Sequence, residues 1–274
     1  MSWTTNQDQD TTQHSMTSSI QLLHWGAPKQ IKTMITNRHG GFSQPPFDSL
    51  NLGLHVGDDP VVVQKNRDAL KALLPNEPIW LNQVHGIQVV DADDYVSGGG
   101  VPNADGSVTT KPGQVLAIMT ADCLPVLLTS RDGKVVGAAH AGWRGLAAGV
   151  IEQTVALMRA KQGHHTQTQT QNEILAYLGP AIGPHAFEVG SEVRDIFIAQ
   201  NPASAACFEQ LQEKGKYLAD IYGLACLRLN ALGIDFIEGG GECTVQNPDY
   251  FSYRRDQKTG RMGSFIWIDE SQNT

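Results

Sequence analysis

Three short segments set metal-binding side chains among small and apolar neighbours. "WLNQVHG" holds His85, "TADCLPVLL" holds Cys123 and "AAHAGWRGL" holds His140. One thiol and two imidazoles make a borderline-soft donor set that suits zinc, with Zn–S near about 2.3 Å and Zn–N near about 2.0–2.1 Å. Three protein donors leave a fourth position for water or substrate, which marks a catalytic rather than a structural zinc. The same donors take up copper by the affinity order of divalent metals. The three segments are far apart in the chain, so spacing alone leaves a plainer reading open. A histidine at the end of an apolar strand is often a hydrogen-bonded core residue, and a lone cysteine a small buried hydrophobe.

Arginines flank these donors. Arg144 follows His140 closely, at the start of a helix expected over 145–160, whose free N–H groups and positive dipole end attract anions. An arginine there makes a pocket for phosphate or carboxylate. "TNRHGGFS" sets Arg38 beside Gly40 and Gly41, a turn that lets backbone amides approach a ligand. "FSYRRDQKTGRMG" sets Arg254 and Arg255 after two aromatics. The alternative for each arginine is an ordinary surface ion pair.

The elements that must position these residues follow from pattern. "QIKTMIT" reads as a strand. "PVVVQKNRDALKALL" reads as a helix, with Asp58 or Asp59 at its N-cap and Pro60 at its start. "VLAIMTADCLPVLLTSRDGKVVGAAHAG" contains two or three buried strands, with "RDGK" as a hairpin turn. The 145–160 helix follows, with Val150, Thr154, Leu157 and Met158 near one face. "EILAYLG" is a strand, "SEVRDIFIAQ" a helix, "KYLADIYGLACLRLNALG" a longer helix ended by Gly233, and "GSFIWI" a final strand. Interspersed strands and helices without a linker or repeat indicate one α/β or α+β domain over 20–270. Residues 1–19 read as a polar disordered tail, and "HHTQTQTQN" as a polar loop.

Composition narrows the function classes. The chain has 274 residues, 41% hydrophobic and 18% charged, with a net charge of −8. That is an ordinary soluble globular composition, and an acidic chain without a basic cluster is a poor partner for nucleic acid or an anionic membrane. No apolar run approaches the roughly 20 residues that span a bilayer. No secretory leader is visible, and none of the four cysteines forms a CxxC pair. Reduced thiols and a cytoplasmic location are therefore expected.

"TNRHGGFS", "NLGLHVGDDP", "NQVHG", "ADG", "ADCLPVLL", "AAHAGWRGL", "GPAIGPHAFEVG" and "FSYRRDQKTGRMGSFIWI" together resemble the laccase-domain family. It is also called the multicopper polyphenol oxidase or YfiH-like family, and its members are described as purine nucleoside phosphorylases. The match runs in order from about Ile20 to Ile268, and the "ADC" and "HAGWRG" pair is specific to it. One departure is "TNRHGG", where the family more often has a second Thr before the Arg. The resemblance implies a single α+β domain, an α/β/β/α sandwich with mixed sheets, similar in layout to the catalytic domain of cytotoxic necrotizing factor. It implies that His85, Cys123 and His140 bind one zinc ion. It also implies phosphorolysis of adenosine, inosine, guanosine and methylthioadenosine with some adenosine deamination, and it carries reports of copper binding and polyphenol oxidation.

The implied activities can be weighed on this sequence. A multicopper laccase needs many histidine ligands, typically in HxH pairs, and this chain has nine histidines and no HxH. Phosphorolysis needs an anion pocket, for which Arg38, Arg144 and Arg254 are candidates, and a group that helps the purine leave. Deamination would use zinc against C6 of adenine, but the HxE and PCxxC signature of other zinc deaminases is absent. A different acid/base is then needed, and Asp122 and Asp105 are the nearest carboxylates. A metal-free hydrolase is a separate alternative, with Cys123 as thiolate and His140 as base. That dyad needs one histidine where zinc uses both, so His85 separates the two.

Overall fold

The computed structural model describes residues 20–96, 98–163 and 173–270. The expected polar tail over 1–19 and the "HHTQTQTQN" patch lie outside the described residues. In chain order the elements are β1 (Ile20–Leu22), β2 (Ile31–Thr36), α1 (Pro60–Lys71), β3 (Val89–Asp91), β4 (Gly106–Thr109), β5 (Leu116–Thr120), β6 (Leu124–Ser130) and β7 (Val136–Ala141). There follow α2 (Trp143–Ala148), α3 (Val150–Gln162), β8 (Ile174–Leu178), β9 (Glu188–Gly190), α4 (Ser191–Gln200), β10 (Phe208–Gln210) and β11 (Lys216–Ala219). The chain closes with α5 (Ile221–Ala231), β12 (Ile237–Gly239), α6 (Tyr253–Asp256) and β13 (Met262–Ile268).

The strands form a four-stranded sheet, β1-β2-β13-β5, a six-stranded sheet, β12-β8-β6-β7-β4-β3, and a three-stranded sheet, β10-β11-β9. The four-stranded sheet is antiparallel throughout. The six-stranded sheet is mixed, with β12 and β3 parallel to their neighbours and the centre antiparallel. Side-chain alternation then dictates the layers. Leu116 and Ile118 of β5 and Ile266 and Ile268 of β13 point inward to Leu127, Val136 and Ala138 of the larger sheet. Their neighbours Ala117, Met119, Phe265 and Trp267 point outward and pack under Leu70 of α1. On the far side, Val126, Leu128 and Ala139 meet α3, α4 and α5 through Val155, Met158, Phe197 and Leu229. The result is a mixed α+β domain in α/β/β/α layers, as the resemblance implies.

The run of small residues in β7 has a packing cause. A Cβ on Gly137 would lie 2.8 Å from the Met158 sulfur, and one on Gly106 would lie 2.7 Å from Thr154 Oγ1. Both are closer than real contacts, so β4 and β7 accept α3 because these positions carry no side chain. The "RDGK" turn joins β6 to β7 as expected, and the turn is tied by Ser130 N donating to Val135 O at 2.9 Å. Asp59 caps α1 by accepting from Val61 N, with Pro60 at the first position.

Two expected helices are different in the structure. The single helix over 145–160 is two helices, α2 and α3, separated at Gly149, whose φ is 105°. The break ends α2 early and lets α3 run along the sheet. The long helix from Lys216 begins only at Ile221. Lys216–Ala219 is drawn into β11, which pairs with β9 on one side and β10 on the other. Asp220 then caps α5 by accepting from Gly223 N. Long-range strand pairing overrides local helical spacing there.

Gly149 sits where an L side chain is strained. Gly149→Ala should lower unfolding free energy by about 1–2 kcal/mol. The check is a urea midpoint that falls while the slope m is unchanged; an unmoved midpoint would show that the junction tolerates a Cβ.

Candidate metal centre and cavity

Asp105, immediately before β4, carries a carboxylate that is fully buried. It accepts three backbone N–H bonds from one turn: Val84 N at 3.2 Å, His85 N at 2.9 Å and Gly86 N at 2.7 Å. The turn wraps so tightly that His85 takes a φ of 59°, in the left-handed region that non-glycine residues seldom adopt. The same carboxylate accepts from His140 Nδ1 at 2.8 Å, and the Asp105 carbonyl accepts from His140 N at 2.7 Å. An ionised carboxylate only accepts, so Nδ1 carries a proton and Nε2 is the nitrogen left for the site. His140, next to last in β7 and buried, therefore presents Nε2 to the site.

Cys123 comes from the opposite side, on the turn between β5 and β6. Asp122 before it has a φ of 91°. Its carboxylate accepts from Thr244 Oγ1 and from Arg254 N, both at 2.6 Å, and its carbonyl accepts from Ile182 N at 2.9 Å. Those bonds hold the turn and aim Cys123 at the imidazoles. Gln83 ties the His85 turn to β5 by donating to Met119 O and accepting from Met119 N, each at 2.8 Å.

The donor atoms of His85, Cys123 and His140 all lie within 4.8 Å of one another. Cys123 Sγ is 3.7 Å from His85 Nε2, close to the about 3.6 Å that a sulfur and a nitrogen subtend across one tetrahedral zinc. The fit depends on Gly142. A Cβ there would come within 2.9 Å of both Cys123 Sγ and His85 Cδ2. An acceptor behind one imidazole, an open side towards the cavity and a soft donor set are what a bound metal needs.

The electrostatics favour the ligating form of the thiol. Burial pushes the Cys123 thiol up, but the charges and hydrogen bonds of His140 and His85 outweigh it and bring it down to about 6. Burial pulls His140 down, while Cys123 and Asp105 outweigh that and raise it to about 9. Burial also works against the Asp105 carboxylate, and the bonds from His140, Gly86 and Val84 hold it below the usual range. The chain by itself thus keeps a thiolate against a positive imidazole, the charge arrangement that a cation on Nε2 and Sγ would replace.

The cluster opens into a cavity of about 450 Å³. Of the residues that the sequence singles out, His85, Cys123, His140, Asp122, Arg144 and Arg254 line it. Arg144 lies in the first turn of α2, not at the head of a long helix, and its guanidinium stacks on Trp143 at 4.5 Å. Arg254 donates to Ala186 O and Glu188 O. Arg38 is not among the lining residues. It donates to Asp48 and faces Asp256 at 3.8 Å, with its guanidinium over Phe251. Arg255 is spent on carbonyls of the 244–250 loop and on Asp256. Asp122 and Asp105, the nearest carboxylates by sequence, are both occupied by bonds from the protein, and Asp105 stands behind His140 rather than in the cavity. Sequence reasoning did not single out His55, Gln83, Tyr253 or Arg261, which line the cavity too. His55 and Arg261 fall inside quoted motifs, but no local pattern distinguishes them from their neighbours. No helix among the described residues is long and apolar enough to cross a membrane.

A layered α+β sandwich holding one sulfur and two imidazole donors at a strand-end cavity defines a class of protein that can be compared as a whole. The chain belongs to the family described as multi-copper polyphenol oxidoreductase laccase, whose model matches residues 32–269. It is 49% identical over 256 residues to the purine nucleoside phosphorylase YfiH of Escherichia coli, covering 92% of this chain and 99% of that one. It is 48% identical over 247 residues to a purine nucleoside phosphorylase of Pseudomonas aeruginosa, covering 90% and 97%. Among solved structures it is similar to a Neisseria meningitidis protein, with a TM-score of 0.83, 47% identity and coverage of 92% and 99%. It is also similar to YlmD from Geobacillus stearothermophilus, with a TM-score of 0.80, 35% identity and coverage of 91% and 96%.

Asp105 is the support on which this donor set rests. Asp105→Asn turns an amide N–H₂ towards groups that are themselves donors. It should weaken zinc binding by about 10–100-fold, read by competition with a chromophoric chelator. Equal affinities in two folded proteins would show that the carboxylate does not position the ligands.

Proposed function

We propose that the protein is a zinc-dependent purine nucleoside phosphorylase, acting on adenosine, inosine, guanosine and methylthioadenosine, with adenosine deaminase activity at the same centre. The observation that carries the reading is the His85–Cys123–His140 cluster opening into a cavity with arginines on its wall. The volume falls in the range of about 300–1,000 Å³ usual for small-molecule sites. The names of the close relatives in Escherichia coli and Pseudomonas aeruginosa support the same reading.

In phosphorolysis a phosphate oxygen bonds to C1′ of the sugar as the C1′–N9 bond breaks. The electron pair leaves with the purine, which takes up a proton, and the products are free base and sugar 1-phosphate. Zinc, when bound, supplies a Lewis-acid charge beside the reacting groups and lowers the pKa of water, which serves deamination. The chain's own residues do the rest. Asp105 keeps a proton on His140 Nδ1, so Nε2 is the nitrogen that would ligate as it gives up its own proton. The Asp122 bonds hold Cys123 in place. Arginines on the wall supply positive charge for phosphate, and Trp143, Phe187 and Ile182 give apolar cover for the nucleoside. Arg38, engaged by Asp48 and Asp256, is outside this proposal.

One observation favours a second reading. Asp105, His140 and Cys123 are in sequence like a carboxylate, base and nucleophile, with His140 oriented through Nδ1, and that is the frame of a metal-free Cys/His hydrolase. The multi-copper oxidase reading has less to stand on. Among the described residues, His85, Cys123 and His140 are the one group of three donors placed to hold a metal.

Inosine or adenosine incubated with the protein, with and without phosphate, decides by chromatography. Free base and sugar 1-phosphate should form only with phosphate, and inosine should form from adenosine without it. Cys123→Ala should cut both by more than about 100-fold, exceeding the loss expected from a mere supporting partner. Full activity in chelator-stripped protein and in His85→Ala would overturn the zinc reading, and base with free sugar formed there without phosphate would select the metal-free hydrolase.

A further inference from the structure

Arg38 and the three arginines that line the cavity differ in what they have already bound. Arg38 has Asp48 and Asp256. Arg254 is exposed, and both its Nη atoms donate to carbonyls, Ala186 O and Glu188 O. Arg144 is exposed, with its guanidinium 4.5 Å over the Trp143 ring. Arg261 is half-buried and, among the described residues, has no carboxylate partner. Its Nη1 donates to Thr259 O at 3.1 Å and Gly260 O at 2.9 Å. Among the described residues Nε and Nη2 have no acceptor, and the side chain lines the cavity. A guanidinium on a cavity wall with one edge unspent offers two parallel N–H donors to an anion.

The surrounding chain is built around this arginine. Arg261 N donates to Asn51 Oδ1 at 2.9 Å, and Leu52 N donates to Arg261 O at 3.1 Å. Asn51 Oδ1 also accepts from Gly53 N at 2.9 Å. A Cβ on Gly53 would stand 2.9 Å from Arg261 Cγ, so the absence of a side chain there makes room for the arginine stem. Two residues on, His55 lines the same cavity. Burial lowers the His55 imidazole first and the Arg261 charge lowers it further, so a neutral ring stands beside a fixed cation. Burial likewise lowers the guanidinium of Arg261, while Cys123 and Asp122 raise it, which puts it within electrostatic reach of the donor cluster.

We propose that Arg261 is the oxyanion seat of the cavity: its Nε and Nη2 hold inorganic phosphate as a fork across two oxygens, with His55 as a further hydrogen-bonding partner, next to the His85–Cys123–His140 cluster. The assignment rests on the phosphorylase reading and deepens it by naming which cation takes the phosphate. The parallel N–H pair matches two oxygens of a tetrahedral anion, a match that a lysine ammonium does not reproduce. Phosphate seated there has its third oxygen free to bond to C1′ while the purine departs.

The test uses the zinc-loaded full chain as wild type, Arg261→Lys, Arg261→Gln and Arg144→Ala. Phosphate and inosine are varied separately in steady-state kinetics, and inorganic phosphate is titrated calorimetrically. Arg261→Lys should raise the KM for phosphate by about tenfold, as expected for one lost charge-assisted bond, and Arg261→Gln by more. Both should leave the KM for inosine and the zinc content near wild type, which a merely structural defect would not. If Arg261→Gln does not fold, Arg261→Lys decides. Unchanged phosphate KM and phosphate binding in folded Arg261→Lys overturn the assignment, as does a larger rise in Arg144→Ala. A wild type that releases no base with phosphate, yet loses calorimetric phosphate binding on Arg261 substitution, overturns the phosphorylase reading and keeps the seat. A wild type that does neither overturns both.

Discussion

One buried carboxylate organises the site. Asp105 takes three N–H bonds from residues 84–86 and one from the His140 imidazole. Without those bonds the His85 turn has no reason to hold its left-handed conformation, and His140 has no reason to present Nε2. A fully buried ionised group is tolerable only when its lone pairs are occupied by donors, and here four donors meet it. Two of the three cluster members are thus set by a single residue that does not itself face the cavity.

The third member reaches the cluster by a separate route, and the packing of the sheets makes the two routes meet. Cys123 sits on the turn that carries the chain from the four-stranded sheet to the six-stranded one. Asp122 pins that turn to Thr244 and to the backbone of Arg254, so the C-terminal segment also holds the thiol in place. Glycines set the distances. Gly142 leaves the volume in which sulfur and imidazole approach, and Gly106 and Gly137 let α3 lie close on β4 and β7. The rigidity of a strand-end site on such a scaffold suits the proposed phosphorolysis, in which several groups must be placed together.

Much of this was legible in the chain. Short apolar runs foretold β2, the strands of the apolar centre and β13, which are buried along nearly their whole length, and the Asp59–Pro60 signal foretold the start of α1. The donor residues stood out because imidazole and thiol interrupt small apolar runs. The errors have physical sources. Gly149 splits a helix whose apolar spacing continues through the break, because a left-handed residue re-aims the axis without disturbing the pattern. Lys216–Ala219 has helical spacing but finds strand partners on both sides, and pairing with distant residues wins over local preference.

The sequence by itself determined the donor types, the elements that carry them and the family, since these rest on residue identity and short-range periodicity. Only the tertiary structure decided which charges serve the site. Arg38, Arg144, Arg254 and Arg261 are equal as letters. Folding gives Arg38 two carboxylates, gives Arg254 two carbonyls, lays Arg144 on an indole, and leaves Arg261 lining the cavity with an edge unspent. What an arginine can bind is set by the partners it already has, and those partners come from parts of the chain that meet only when it folds.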